Sequence, residues 1–297
     1  MRLFCFGLGY TALALARQLA AEGWQIAGTT RDPKKQASLE QQGIEVWPFA
    51  RGRPLEKPER ALAGTTHVLS SIAPDEEGDP VLGQHARDLL RCTSIVWTGY
   101  LGTTGVYGDR GGDWVSEADP VAPSMPRTKR RARAEGHWLA SGLSVHLFRL
   151  AGIYGPGHGR SALAAVRAGT ARRIVKPGQV FCRIHVDDIV QVLRASMARP
   201  NPGAIYNVAD DEPAPPQDVV AYACTLLGAG PPPEVPFDLA ELSPMARSFY
   251  GDSRRVANAR IKEELGVSLR YPSYREGLRA LLDDPAHPAA DEARSRR

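Results

Sequence analysis

The first residues of the chain carry the feature that most restricts its fold. A short apolar run at residues 3–6 leads into Gly7, Gly9 and Ala12, spaced as G-x-G-x-x-A, and an Ala- and Leu-rich segment follows. Gly7 permits a tight turn, Gly9 lets the backbone approach a pyrophosphate, and Ala12 allows close packing of helix on strand. The helix start then offers N–H groups and a positive dipole to phosphates. The pattern predicts a dinucleotide-binding turn formed by Gly7, Leu8, Gly9, Tyr10, Thr11 and Ala12. A glycine turn without a ligand is the alternative.

Short apolar segments alternate with helical patterns through the first half of the chain. Strands are predicted at residues 3–6, 25–28, 44–48, 67–71, 94–98 and 144–150, and helices at 11–21, 33–42, 81–91 and 129–140. Repeated strand–helix units of this spacing predict an α/β protein with a Rossmann-like, doubly wound parallel sheet. The predicted domains are a Rossmann domain at 1–155, a smaller, mostly helical substrate lobe at 156–282 with some segments returning to the sheet, and a disordered tail at 283–297.

Composition narrows the class of protein. The 297 residues contain 37 Lys and Arg against 33 Asp and Glu, a net charge of +4, which disfavours a strongly basic nucleic-acid binder. The four cysteines, Cys5, Cys92, Cys182 and Cys224, include no C-x-x-C pair, so we expect no disulfide scaffold, no metal site and a cytoplasmic location. A secretory signal peptide is the alternative for the apolar N-terminus, but Gly7 and Gly9 interrupt it. No run is long enough for a membrane span.

The residues after the second strand select the cofactor type. An acidic residue at that point binds the ribose 2′-OH of NAD. This chain has Gly28, Thr29, Thr30 and Arg31 there, and no carboxylate precedes Asp32. Arg31 offers a planar fork to a 2′-phosphate, with Thr29 or Thr30 as a hydroxyl donor. The sequence therefore predicts NADP. NAD is the alternative, with Asp32 as its acid if the strand runs one residue further.

Three further motifs follow the N-terminal turn in a fixed order. Residues 102–108 are GTTGVYG, residues 149–157 are RLAGIYGPG, and residues 183–189 are RIHVDDI. With the turn, they resemble the extended and atypical short-chain dehydrogenase/reductase superfamily, the NAD-dependent epimerase/dehydratase-like group, over residues 1 to about 282. Phe6 stands where the usual G-x-x-G-x-x-G of that superfamily has its first glycine, which indicates an atypical branch.

The resemblance implies a role for each matching position. Thr103 matches the catalytic Ser or Thr that hydrogen-bonds the substrate oxygen, and Arg183 matches a position that often faces substrate. Tyr107, in the same loop as Thr103, is a second candidate for substrate contact. The segment implied to lie against the cofactor is Ser71, Ile72 and Ala73. The segment implied to lie beside its nicotinamide is Ala151, Gly152 and Ile153.

The superfamily's catalytic Tyr-x-x-x-Lys pair is absent. Alignment on Glu135 puts Arg131 at the Lys position and Arg127 at the Tyr position, on one face of a helix. A guanidinium stays protonated and cannot abstract a proton as a phenolate does. Arg131 can hold a ribose hydroxyl or a phosphate, and Arg127 can stabilise an alkoxide or clamp an anionic substrate. Groups that could transfer the proton instead are Tyr107, Tyr154, Glu117 and His158, each of which also has a structural interpretation.

Five basic residues crowd this helix, at positions 127, 129, 130, 131 and 133. One interpretation is a nucleic-acid patch, but no aromatic residues interleave with the charges. An amphipathic helix with a cofactor-facing edge, Arg127 and Arg131, and a solvated edge is favoured.

Further along, Asp187 or Asp188 is expected to cap a helix beginning at Ile189, with His185 packed at the end of a strand.

The sequence thus predicts an NAD(P)-dependent oxidoreductase or epimerase that acts on a polar, sugar-nucleotide-like small molecule. The cofactor is NADP or, alternatively, NAD. We expect neither nucleic acid nor membrane as a partner, and either a monomer or a homodimer. The competing hypothesis is a catalytically impaired regulator that binds NADP(H) without turning over a substrate, which the missing Tyr-x-x-x-Lys pair favours directly.

Overall fold

The computed structural model describes residues 1–158 and 161–282; the tail predicted to be disordered, residues 283–297, lies outside the described residues. The strands are β1 Arg2–Phe6, β2 Gln25–Thr30, β3 Glu45–Pro48, β4 His67–Ser70, β5 Trp97–Thr103, β6 Trp114–Val115, β7 Val145–Leu150, β8 Gly152–Tyr154, β9 Arg173–Val175, β10 Arg183–His185, β11 Ile205–Val208, β12 Glu234–Pro236 and β13 Arg255–Val256. The helices are α1 Tyr10–Ala21, α2 Pro33–Glu40, α3 Pro58–Ala61, α4 Pro80–Arg91, α5 Pro126–Leu139, α6 Ala162–Arg167, α7 Val186–Ala198, α8 Pro216–Leu226, α9 Pro244–Phe249, α10 Ala259–Glu263 and α11 Tyr274–Ala280.

A seven-stranded sheet in the order β11-β7-β5-β4-β1-β2-β3 forms the centre of the fold. β1 pairs in parallel with both β2 and β4, β2 with β3, and β4 with β5. The chain starts in the middle of the sheet, builds outward through β2 and β3, and then crosses to β4. The point where the direction of winding reverses therefore lies between β1 and β4, where open α/β sheets bind ligands. The predicted doubly wound parallel sheet is confirmed.

The burial of strand β1 shows that this part of the sheet is covered on both faces. All five of its residues are buried, as expected for a parallel strand covered by helices on either side. Phe4 and Phe6 pack edge-to-face at 4.9 Å and anchor a core that also includes Phe49, Tyr100 and Trp138. The sequence places large apolar side chains here, so burial of this strand fixes the position of the turn that follows it.

β5 differs from its predicted extent, and the prediction of a strand at 94–98 followed by a loop is wrong. The strand runs from Trp97 to Thr103. Gly99 and Gly102, which lie beyond the predicted end, are inside the strand because no side chain would fit at either position. A Cβ atom on Gly99 would overlap the Trp97 ring, and one on Gly102 would lie 2.7 Å from Glu135 Oε1. Thr103 is consequently the last residue of the strand.

The described chain divides into two units that alternate along the sequence. The first comprises residues 1–106, 126–149 and 190–206, and the second comprises 107–125, 150–189 and the chain from 207 onward. The predicted division at residue 155 assigns cofactor binding to one part of the chain and substrate binding to the other, and it stays a prediction. In the described parts of the chain, no helix combines the length and apolarity needed to cross a membrane.

The second unit is held together by short parallel ladders and a helical core. β8 pairs with β10, β9 with β12, and β6 with β13. Tyr154, Leu163, Val219 and Leu278 form part of its core. α11 begins with a capping box, in which Ser273 and Glu276 satisfy each other's backbone N–H groups, so the last helix starts at a defined residue.

The predicted cap at Asp187 or Asp188 is wrong. α7 begins at Val186, three residues before the predicted start, so both aspartates lie in its first turn. Asp188 is fully buried, and its carboxylate accepts the backbone N–H groups of Arg270 at 2.6 Å and Tyr271 at 3.1 Å. Its role is to hold a distant segment of the same unit.

Candidate functional site

The turn after β1 has a backbone conformation that only glycine adopts easily. Gly7 has a φ of +87°, in the left-handed region. A Cβ atom there would lie 2.8 Å from Ile72 Cγ1 and 3.0 Å from Ser71 Oγ. Gly7 is therefore required both by the turn and by the close approach of the segment after β4.

Neighbouring strands brace this turn from both sides. The N–H of Gly7 donates to Thr29 Oγ1 at 2.8 Å, and the N–H of Leu8 donates to the Thr29 carbonyl at 2.9 Å. On the other side, the Ser71 hydroxyl donates to the Gly7 carbonyl. Thr29 is buried and bonded to the turn, whereas Thr30 at the end of β2 is half-buried and its Oγ1 accepts the N–H of Asp32 at 3.2 Å.

The start of α1 fits an anionic ligand. Among the described residues, no side chain caps this helix, and its first turn contains no acidic residue. Gly9 has an ordinary φ of −79°, and the nearest atom to a Cβ placed on it is Ser71 Oγ at 3.8 Å. The space above Gly9 is thus kept clear of protein atoms, as close approach of a pyrophosphate to the backbone requires.

The end of β2 carries a cation, and the first carboxylate after it, that of Asp32, caps the next helix. The strand ends at Thr30, two residues later than predicted, and exposed Arg31 follows it. Asp32 is the N-cap of α2, where its carboxylate accepts the N–H groups of Lys34 at 2.9 Å and Lys35 at 3.4 Å. Asp32 therefore has a structural task, and Arg31 occupies the position next to the strand end.

Four segments of the first unit meet at the carboxyl edge of the sheet because their strands are parallel. The turn follows β1, Arg31 follows β2, Ser71 follows β4, and Thr103 ends β5. In sheets of this kind that edge is the ligand-binding one. The structure therefore brings together the predicted residues at positions 7–12, 30–31, 71–73 and 103 within one unit. Tyr107, Ala151, Gly152, Ile153 and Arg183 belong to the second unit.

Thr103 is held in place by a local contact. Its Oγ1 accepts the N–H of Gly105 at 3.1 Å, at the start of a short 3₁₀ helix, Thr104–Tyr107. A Cβ on Gly105 would lie 2.9 Å from Thr128 Cγ2 of α5. α5 thus packs directly against the segment that follows Thr103. Because the Thr103 oxygen acts as an acceptor in this contact, its hydroxyl proton is available to donate.

α5 carries Arg127 and Arg131, the two residues that the resemblance aligns with the absent Tyr-x-x-x-Lys pair. The helix begins at Pro126, three residues earlier than predicted, which brings Arg127 into its first turn. Arg131 donates from Nη1 to the Leu101 carbonyl at 2.9 Å, so its guanidinium is tied to the backbone of β5 two residues before Thr103. Arg131 is therefore a fixed cation beside the strand that ends in Thr103.

A buried ion pair between Glu135 and Arg149 joins α5 to β7. Arg149 is the first residue of the motif at 149–157, but the sequence does not predict this pairing. Glu135 and Arg149 are 3% and 5% exposed, and Arg149 Nη2 lies 3.0 Å from Glu135 Oε2. Burial raises the pKa of Glu135, while the charge of Arg149 opposes the shift. The Glu135 carboxylate also lies against Gly102, so the pair joins α5, β5 and β7. Glu135 and Arg149 lie on different predicted elements, so the sequence alone does not indicate that they form a pair.

Tyr100 is a residue that the sequence reading did not identify. It lies under α5, with its ring 5.6 Å from that of Trp138. Burial raises the pKa of Tyr100 to about 12, although the charge of Arg131 opposes the shift. The phenol is therefore neutral at physiological pH, and because it is fully buried it cannot reach a substrate directly.

In the second unit, the segment predicted to lie beside a nicotinamide is an ordered strand start. The N–H of Ala151 donates to the Val208 carbonyl at 3.0 Å, and the N–H of Gly152 donates to the Cys182 carbonyl at 3.0 Å. A Cβ on Gly152 would lie 3.2 Å from that same Cys182 carbonyl. The glycine is thus explained by the close approach of β8 to the chain before β10.

Tyr107 and Arg183, the predicted substrate contacts, are both engaged with protein groups. Tyr107 is fully buried and donates its hydroxyl proton to Asn207 Oδ1 at 2.8 Å. Arg183 donates to the Phe181 carbonyl at 2.9 Å and lies near Asp210, whose pKa burial raises well above its usual range. Tyr107 is therefore positioned as a structural residue, and the charge of Arg183 opposes the effect of burial on the pKa of Asp210.

The alternative proton-transfer groups in the second unit are also engaged. Tyr154 donates to the Ser273 carbonyl at 3.4 Å, and burial raises its pKa. Glu117 Oε1 accepts the N–H of Asn207 at 2.7 Å. For His158 the bond to Gly155 joins only the two backbones, and its side chain is partly exposed. His185 is buried, and burial lowers its pKa to about 4, so the ring is neutral at physiological pH, as a packed strand-end residue would be.

Comparisons with known proteins agree with this architecture. No protein-family model matches the chain. A conserved protein of Silicibacter pomeroyi whose function is unknown is 52% identical, with a TM-score of 0.89 over 96% of this chain and 99% of the other. Protein YeeZ of Escherichia coli K12 is 28% identical over 293 residues, 90% of this chain and 94% of YeeZ. UDP-glucuronic acid 4-epimerase of Bacillus cereus, in complex with NAD, is 14% identical over 99% of each chain and shares the fold, with a TM-score of 0.75.

Proposed function

Because this chain shares a family with the S. pomeroyi protein and belongs by its fold to the extended short-chain dehydrogenase/reductase superfamily, we propose that it is an NADP(H)-dependent oxidoreductase or epimerase. The observation that carries the proposal is the turn after β1. Gly7 is in the left-handed region, the space above Gly9 is clear, and α1 starts without a side-chain cap or an acid. This combination suits the pyrophosphate of a dinucleotide.

The residues after β2 support NADP over NAD. Thr30 and Arg31 stand where an NAD-binding chain has its ribose-binding acid, and the Asp32 carboxylate is committed to capping α2. A guanidinium binds a phosphate in a bidentate manner, whereas it gains nothing comparable from a ribose hydroxyl. Arg31 with Thr30 is therefore our assignment for the 2′-phosphate.

Replacement of Arg31 by alanine tests this assignment. Loss of one charge-assisted, bidentate contact should weaken NADPH binding about tenfold and leave NADH binding unchanged. The measurement is the dissociation constant of each dinucleotide by fluorescence titration. Arg17→Ala, which removes an exposed arginine from the second half of α1, is the matched control. An unchanged NADPH dissociation constant in Arg31→Ala would remove Arg31 from the site.

The residues around Thr103 define the chemistry that the chain can contribute. A nicotinamide cofactor, when bound, supplies hydride transfer. The Thr103 hydroxyl would donate a hydrogen bond to the substrate oxygen, while Arg131, held at the Leu101 carbonyl, would contribute positive charge beside it. Arg127, in the first turn of α5, would clamp an anionic group. A polar, sugar-nucleotide-like substrate matches these charges, and the B. cereus relative is named for such a compound.

A regulator that binds NADP(H) without turnover is the second candidate. The observation that favours it is the pair Arg127 and Arg131, because neither guanidinium can exchange a proton at physiological pH. The tyrosines that could replace that function, Tyr100, Tyr107 and Tyr154, are buried. Proton transfer in an active enzyme would have to come from the substrate, from water or from a group that closes onto Thr103.

Turnover assays separate the two candidates. Purified protein would be mixed with NADPH or NADH and a panel of carbonyl compounds and nucleotide sugars, with absorbance at the reduced nicotinamide band and product isomers as readouts. Oxidation or epimerisation that is lost in Thr103→Val supports the enzyme. Tight dinucleotide binding without any conversion across the panel would support the regulator instead.

A further inference from the structure

An arginine after β3 reaches an acidic turn after β4. The guanidinium of Arg51 forms an ion pair with Asp75, approaches Glu77 Oε2 at 3.4 Å, and donates from Nη2 to the Gly78 carbonyl at 2.8 Å. Its side chain is only 27% exposed. A single guanidinium thus contacts three residues of one turn. We call Arg51 together with the turn Asp75–Gly78 the Arg51 strap.

The strand order shows what the Arg51 strap crosses. β3 and β4 are separated in the sheet by β1 and β2. Adjacent strands lie about 4.8 Å apart, so the two ends of the strap belong to strands roughly 14 Å apart. The strands crossed are the ones that lead into the Gly7 turn and Arg31. The Arg51 strap therefore spans the part of the carboxyl edge where we place the adenosine half of the dinucleotide.

Both ends of the strap are rigid. The turn is closed by reciprocal backbone bonds between Asp75 and Gly78, at 3.0 and 3.2 Å, and the Glu77 N–H donates to Asp75 Oδ1 at 3.0 Å. On the other side, the N–H of Phe49 donates to the Thr30 carbonyl at 3.2 Å, two residues before Arg51. The strap thus connects the last residue of β2 with the segment after β4.

The charges give the strap a second effect. Asp75 and Glu77 place two carboxylates on the edge that would receive phosphates. Arg51 faces both of them, and it lowers the pKa of Asp75 by hydrogen bonding and by its charge. Without Arg51 these carboxylates would repel an anionic ligand. The turn would also lose one of its side-chain ties to the rest of the unit, another being the pair of Glu76 with Arg130 at 2.8 Å.

We infer that Arg51 is a positioning residue for the adenosine half of the cofactor, acting through the turn Asp75–Gly78 and keeping that contact when the ligand binds. The inference rests on the proposed function. We expect the Arg51 strap to stay closed over the bound adenosine half. Arg51 then holds the segments after β3 and β4 in place, while Arg31 contacts the 2′-phosphate.

Fragment binding tests the inference. We expect Arg51→Ala to weaken NADPH and 2′,5′-ADP about fivefold and to leave nicotinamide mononucleotide unchanged, since the strap lies at one end of the site. Arg53→Ala removes an exposed arginine two residues along and should change none of the three. The double variant Arg51→Ala/Asp75→Asn has the wild-type net charge and should still bind 2′,5′-ADP weakly. Restoration to wild-type affinity would reduce the effect to charge and overturn the inference.

Amide hydrogen exchange separates the strap from a direct contact. If the strap stays closed, exchange at Glu77 and Gly78 slows when 2′,5′-ADP binds the wild-type protein. If Arg51 instead leaves the turn to contact the ligand, exchange there becomes faster, which overturns the inference. Equal binding of 2′,5′-ADP by wild type and Arg51→Ala overturns the strap alone, whereas a wild-type chain that binds neither NADPH nor NADH removes the proposed function with it.

Discussion

Gly9→Ala should reduce dinucleotide affinity on the order of 100-fold while lowering the free energy of unfolding by about 1 kcal/mol or less. Gly9 has an ordinary φ, and no protein atom lies closer than 3.8 Å to the added Cβ. The protein therefore accepts the methyl group easily. The methyl group instead occupies the space into which the pyrophosphate must come to reach the backbone N–H groups of α1. Calorimetric titration with NADPH and urea unfolding measure the two effects separately.

Two other glycines of the same region provide matched controls. Gly7→Ala should lose about 3 kcal/mol of stability as well as binding, because φ is +87° and the Cβ meets Ile72. Gly23, at the far end of α1, has a φ of +84° with nothing within 4 Å of an added Cβ. Gly23→Ala should cost about 1 kcal/mol from strain alone and leave NADPH binding unchanged. Retention of full NADPH affinity by Gly9→Ala would show that no pyrophosphate sits at this turn.

Arg149→Met should destabilise the protein by about 3 kcal/mol near pH 8, because it leaves the buried Glu135 carboxylate without its counterion. Glu135 is 3% exposed and cannot recover the loss by turning to water. Urea unfolding of wild type and variant measures the difference. Arg194→Met is the control, since Arg194 pairs with Glu22 at 2.6 Å on the surface and should contribute well under 1 kcal/mol.

The pH dependence of that deficit identifies its cause. Burial already raises the pKa of Glu135 above its usual value of 4.5, and removal of Arg149 should raise it further. Between the ordinary and the raised pKa, the folded state holds a proton that the unfolded state releases, so the free energy of unfolding falls as pH rises. The deficit of Arg149→Met should therefore shrink as pH falls toward 4.5. A deficit independent of pH would instead indicate lost packing. The double variant Glu135→Leu/Arg149→Met should recover most of the stability.

Local signals account for what could be predicted from the sequence. The Gly7 turn and the order of the strands and helices in the first half of the chain follow from short apolar runs and punctuating glycines, and both are found in the structure, although β5 and the starts of α5 and α7 are displaced from their predicted positions. Asp32 could also have been recognised, because an aspartate directly before Pro33 is a typical N-cap signature. β2 runs two residues further than predicted, which meets the condition stated for Asp32 as an NAD acid. The argument against that role is that Oδ1 of Asp32 caps α2.

Contacts between distant segments account for what could not be predicted. The extension of β5 through Gly99 and Gly102 depends on packing against Trp97 and Glu135, which only the fold reveals. The pairing of Arg149 with Glu135 and the reach of Arg51 to Asp75 depend on strand order, which one sequence does not encode locally. The early start of α7 was hidden because Asp188 resembles a cap until its partners, Arg270 and Tyr271, are known.

The most direct test is the affinity of the wild-type protein for NADPH compared with NADH, measured by titration under one set of salt conditions. On the proposed function, the uncapped start of α1 and the open space above Gly9 predict that a dinucleotide binds, and Arg31 at the end of β2 predicts a preference for NADPH. We expect NADPH to bind at least about tenfold more tightly than NADH. Equal affinities, or tighter binding of NADH, would contradict the 2′-phosphate assignment, and absence of binding to both would contradict the dinucleotide site itself.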